Sequence, residues 1–134
     1  MSSIYDAARE SFLKGLIDFS TDSIRAKLVS TAYTYSASHS TVADVAASTL
    51  STSPALTSKT TTAGVANAAS VTFTAVPGGT DGKAIVLYQH VAGDNTDKII
   101  CYIDQTSDSS LPVTPNGGDI IVNWDTGANK IFKL

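Results

Sequence analysis

Apolar and polar positions alternate most cleanly over residues 24–29, where Ile24, Ala26 and Leu28 fall on one face and Arg25 and Lys27 on the other, the period of a half-buried strand. The period returns at Val71, Phe73 and Ala75, interleaved with Thr72 and Thr74, and a dense turn follows at Pro77-Gly78-Gly79-Thr80-Asp81-Gly82. Residues 84–91 and 99–104 read as apolar strands joined by Ala92-Gly93-Asp94-Asn95-Thr96-Asp97. Residues 119–124 are β-branched and aromatic and are entered through Pro115-Asn116-Gly117-Gly118. They leave through residues 125–129 into a last strand-like run, where Phe132 and Leu134 alternate imperfectly with Lys130 and Lys133. With a polar strand-like run at 56–62, the count is about eight strands at short, even spacing, which predicts a mainly β domain, an antiparallel sandwich or jelly-roll-like fold.

Helical spacing is confined to the start of the chain. Ile4, Ala8 and Phe12 recur along one edge, Ser3 and Asp6 have the layout of an N-cap, and Gly15 is a natural stop, so a short helix is expected over residues 4–14 within an N-terminal segment 1–15. About half of residues 30–62 are Ser or Thr, with a helical turn expected at 41–47 capped by Ser40. This segment reads either as an arm lying on a partner or as an irregular loop of the domain, because structureless stretches of this length are uncommon without a role.

Composition narrows the partners. The 134 residues suit one domain, 1–134, and 43% hydrophobic against 16% charged residues argues against disorder and for a surface of Ser, Thr, Asn and Gly. A net charge of −3 with nine scattered Lys and Arg disfavours nucleic acid as a partner, since phosphate neutralisation needs clustered cations. The first residues carry Asp6, Arg9 and Glu10 where a secretory signal would be apolar, and no apolar run approaches the length of a membrane span. A soluble protein made in the cytoplasm, with no membrane partner, is expected.

Candidate chemistry is thin. His90, Cys101 and Asp104 could meet across adjacent antiparallel strands as base, nucleophile and orienter, but Cys101 sits between Ile100 and Tyr102 and reads as a small buried hydrophobe. His39 and Asp44 lie in the polar stretch and read as surface or cap residues. Asp81, Asp94, Asn95 and Asp97 could offer oxygen ligands, yet the alternating spacing and closing Glu of a calcium loop are missing. Gly82-Lys83 follows a glycine-rich turn, but Pro77 and Ala84 break the phosphate-loop pattern. No catalytic, cofactor-binding or metal residue is therefore expected. Trp124, and with it Tyr88 or Tyr102, could serve a carbohydrate-binding module if exposed, although a strand tryptophan is more often a core or edge aromatic.

The run PNGGDIIVNWDTGANKIFKL, together with SVTFTAV, AIVLYQH, KIICYID and FLKGLIDFSTDSIRAKLV near the start, resembles a group of small virion proteins of tailed bacteriophages, and within it the capsid cement or decoration proteins. The resemblance implies a non-enzymatic protein on the capsid surface, bound to the major capsid protein and to copies of itself as a dimer or trimer. A tail, connector or fibre-base component fits the same resemblance. The apolar helix edge, Ile4, Ala8 and Phe12, is the expected partner contact, with the Ser/Thr-rich segment and exposed strand edges as further candidates.

Overall fold

The computed structural model describes residues 2–104 and 111–134, so Met1, part of the expected N-terminal segment, lies outside the described residues. The protein is mainly β, as the alternation predicts. Five antiparallel strands form the main sheet: β1 (Ser2–Ile4), β2 (Ile24–Ser30), β3 (Thr49–Thr52), β6 (Gly82–Gln89) and β7 (Ile99–Ile103), in the spatial order β1-β7-β6-β2-β3. Two antiparallel ladders accompany it, β4 (Val65–Ala66) with β9 (Phe132–Lys133), and β5 (Val71–Phe73) with β8 (Ile120–Val122).

Register places Ala26 opposite Leu87 and Leu28 opposite Ile85, while Lys27 faces Val86 and Val29 faces Ala84 on the other side. Directly opposed residues share a face, so these pairs define two layers. Both are covered. Ile24, Leu28, Val29, Val86, Leu87, Ile99 and Ile100 are all at most 1% exposed. Gly82 is part of this close packing, since a Cβ there would meet Leu28 Cδ1 at 2.8 Å.

The only α-helix among the described residues, α1, spans Asp6–Leu13, shorter than the 4–14 expected. Ile4 is instead in β1, opposite Cys101, and the helix starts after Tyr5, whose side chain makes no cap; Ser3 is in the strand and caps nothing. Its end is as the sequence predicts. Gly15, at φ +71°, donates to Phe12 O, and Leu16 N–H donates to Ser11 O at 2.8 Å, the paired bonds of a Schellman motif.

The Ser/Thr-rich segment folds back on its own domain. Ile99 N–H donates to Ser40 O, Val42 N–H to Asp97 O and Asp6 N–H to Ala37 O, and Tyr33, Val42, Val45 and Leu56 are buried. The expected turn is a 3-10 helix, Val42–Asp44, with Thr41 rather than Ser40 at its N-cap, because the Asp44 carboxylate reaches back to accept the backbone N–H groups of Ser40 and Thr41. Residues 49–52 form β3, and the strand expected over 56–62 is reduced to a single bridge, Thr60 with Asn67. Tyr5 and Tyr33 join hydroxyls at 2.9 Å, and the Tyr33 hydroxyl meets His39 Nδ1 at 2.7 Å. These bonds satisfy the polar tips of a buried aromatic cluster that also holds Tyr35 and Tyr102.

Candidate functional site

The residues proposed for nucleophilic chemistry are placed against it. Cys101 is fully buried opposite Leu87, and burial pushes its thiol up to about 12, so it carries no thiolate near neutral pH. His90 faces Asp97 instead, Nδ1 to carboxylate 3.7 Å. Asp97 is buried because it closes its own loop. Its carboxylate accepts the backbone N–H groups of Val91, Ala92 and Gly93 at 2.8–3.1 Å. Asp94 accepts from Thr96 N–H and Oγ1, which lowers its pKa, and Asp44 is likewise lowered by the backbone N–H groups of Ser40 and Thr41. The loop carboxylates thus stabilise turns, and among the described residues no group of three His, Cys, Asp or Glu is placed to hold a metal ion. No helix among them is long and apolar enough to cross a membrane.

Of the expected partner contacts, Ile4 and Ala8 are 6% and 0% exposed and belong to the chain's own core, so they are not available to a partner. The physical reason is β1, which pairs Ile4 to the sheet and presses that helix edge inward. Phe12 is half-buried, its ring centroid 6.0 Å from that of Phe132. Among the large apolar side chains left exposed, Val91 and Ile121 stand apart, and Leu13 and Leu16 fall at the helix end. Leu13, the last residue of the helix, is 89% exposed, Leu16, just past its end, is 53% exposed, and Leu134 is 56% exposed. A groove of about 380 Å³ is lined by Phe12, Ile17, Phe19, Ala66, Phe132 and Leu134, with Asp18 as its one charged side chain; Leu13 and Leu16 are next in the chain to Phe12 and Ile17 but do not line it. Sequence reasoning passed over Leu13 and Leu16. The signal was there: both are apolar, and both lie off the 4, 8, 12 stripe.

A second, polar groove of about 320 Å³ lies beside Trp124. Residues 67–70 connect β4 to β5 and residues 123–131 connect β8 to β9. Because β4 pairs with β9 and β5 with β8, the two connections are brought side by side. Trp124 Nε1 donates to Ala69 O at 2.9 Å across them. The other two aromatic candidates are in the core, Tyr88 5% and Tyr102 4% exposed. Comparison with protein-family models, with curated proteins and with solved structures gives no match.

Proposed function

We propose that the chain is a capsid cement or decoration protein of a tailed bacteriophage, acting mechanically on the virion surface, with no catalytic step, by binding the major capsid protein. The sequence resemblance supports the class. The single structural observation that supports an attachment role is the groove lined by Phe12, Ile17, Phe19, Phe132 and the exposed Leu134, with exposed Leu13 and Leu16 next in the chain to its lining residues Phe12 and Ile17. Contiguous exposed apolar surface, such as the lining of this groove, marks interaction surfaces. The Leu13 and Leu134 side chains contribute little to the fold that holds them. Specific contacts need only about 800 Å² from each partner, and repetition over a shell multiplies a modest affinity into large collective stabilisation.

The test is a Leu13→Glu/Leu16→Glu protein added to expanded capsids. It should fold as wild type yet lose occupancy, and particles lacking the protein should burst at lower temperature with tails attached. Wild-type occupancy should respond weakly to salt, since the contact is apolar. If the double variant still decorates capsids, the patch is not the attachment surface. If heads keep their heat resistance while tails are missing, the protein belongs to the tail or connector. A patch that instead joins copies of this chain would show as a dimer or trimer in solution that the double variant dissolves.

A further inference from the structure

We propose that the groove beside Trp124 is a saccharide-binding site, an activity independent of the attachment role. A sugar ring is amphipathic, with an apolar C–H face and a rim of hydroxyls that both donate and accept. A site for it needs an aromatic surface beside planar polar side chains, and this groove has that composition. It is lined by Trp124 together with Asn67, Asn123, Ser70, Asp125 and Lys130.

The orientation of Trp124 decides what it offers. Its one polar atom, Nε1, is taken up by Ala69 O, so the part of the half-buried indole that lines the groove is apolar. The polar groups come from the neighbours. The side chains of Asn67, Asn123 and Ser70 line the groove, and amides supply both donors and acceptors to hydroxyls. The loop beside them is held without a ligand. Asp125 Oδ1 accepts Gly127 N–H at 3.0 Å, and Lys130 N–H donates to Gly127 O at 3.2 Å, so the 125–130 loop is braced from within. Lys130 itself is held at φ +48°, a left-handed conformation that a lysine adopts only where its surroundings impose it.

The same groove suits a nucleobase less well. Asp125 and Lys130 balance each other at the site and the chain carries net charge −3, so nothing draws in a phosphate backbone. A neutral, hydroxyl-rich ligand meets no such penalty.

Trp124 is the chain's single tryptophan, so its emission reports on this groove alone. The intact protein is titrated with maltohexaose, cellohexaose, chitohexaose and mannohexaose, and with a thymidine oligonucleotide. At least one saccharide should give a saturable emission change with a dissociation constant of about a millimolar, insensitive to salt. An Asn67→Ala/Asn123→Ala protein should weaken that response about tenfold, the loss expected for two hydrogen bonds, with an unchanged unfolding midpoint. No saturable response to any of the four saccharides overturns the proposal. So does an unaltered response in the double variant, or a response to the oligonucleotide alone.

Discussion

In the main sheet the longest strand, β6, leaves only Lys83 short of full burial, whereas β8, in one of the small ladders, exposes Ile121 to 64%. The two regions are ordered by different means. The sheet relies on hydrogen-bonded length and two covered faces. The ladders are two or three residues long, and their connections are pinned by side chains reaching backbone: Asp119 accepts Ala75 N–H at 2.8 Å, and Asn116 accepts Gly118 N–H at 3.0 Å. All four non-glycine residues with positive φ among those described, Ser58, Ala63, Ala75 and Lys130, lie in segments next to the ladders and none in the sheet. Such backbone costs about 1–3 kcal/mol per residue. The lesson is a division of labour: both grooves take lining residues from the ladders or the segments next to them, and none from the five strands of the sheet.

The largest test of that division compares two apolar strand residues. Leu87→Ala, at the centre of β6, should cost about 2–5 kcal/mol, since the buried site cannot collapse around the lost atoms. Ile121→Ala on β8 should stay within about 0.5 kcal/mol. Urea unfolding of both proteins measures the difference, and similar losses would mean that the ladder face is as tightly packed as the sheet.

Overpacking probes the sheet from the opposite side. Gly82→Ala places a Cβ 2.8 Å from Leu28 Cδ1, and Leu28 is only 1% exposed and flanked by β6. A loss of about 1–3 kcal/mol is expected. A neutral result would show that Leu28 has room to move.

Alkali should destabilise the fold through two buried groups, Cys101 in the sheet and Tyr5 beside it. Burial raises the Tyr5 hydroxyl and the Cys101 thiol, and the Tyr33 hydrogen bond raises Tyr5 further. Both groups hold their protons more tightly folded than unfolded, so their contribution is complete below the unfolded values, about 8.5 for Cys and about 10 for Tyr. It is lost as pH rises above them, at about 1.4 kcal/mol per pH unit for each group. For Cys101 the loss ends at the folded value of about 12. Unfolding midpoints followed into alkali should fall, and less steeply in a Cys101→Val protein; parallel slopes would remove Cys101 from the account.

The length over which a pattern persists, in sheet and ladders alike, explains what was legible in the sequence. Strands β2, β6 and β7 stand out because alternation or continuous apolar character persists over five to eight residues. Strands β1, β3 and β4 have two to four residues, too few to show a period, and exist because longer neighbours offer them a partner. The covering segment was ambiguous for a related reason: Tyr33, Val42, Val45 and Leu56 are single apolar residues scattered through Ser and Thr, and only the tertiary fold brings them onto the sheet. At the candidate sites, Trp124 was visible as chemistry, but Asn67 and Asn123 are 56 positions apart (123 − 67) and join it only through the pairing of two ladders.

The smallest expected effect tests the strain in the ladder region directly. Lys130 at φ +48° carries a left-handed cost of about 1 kcal/mol, and its ammonium makes only a long bond, 3.4 Å, to the Thr126 carbonyl. Glycine adopts that backbone freely but adds about 0.5–1 kcal/mol of unfolded-state entropy. Lys130→Gly should therefore raise stability slightly, by a few tenths up to about 0.5 kcal/mol, while the equivalent change in the sheet, Lys27→Gly, should lower it, because Lys27 lies over the Tyr88 ring at 4.9 Å and donates to Thr52 Oγ1 at 3.0 Å. Opposite signs from two lysine-to-glycine changes would express the difference between the regions in one measurement. If Lys130→Gly instead lost more than about 0.5 kcal/mol, the lysine side chain would be bracing its loop, and the left-handed backbone there would be a consequence of that contact rather than a cost imposed by the fold.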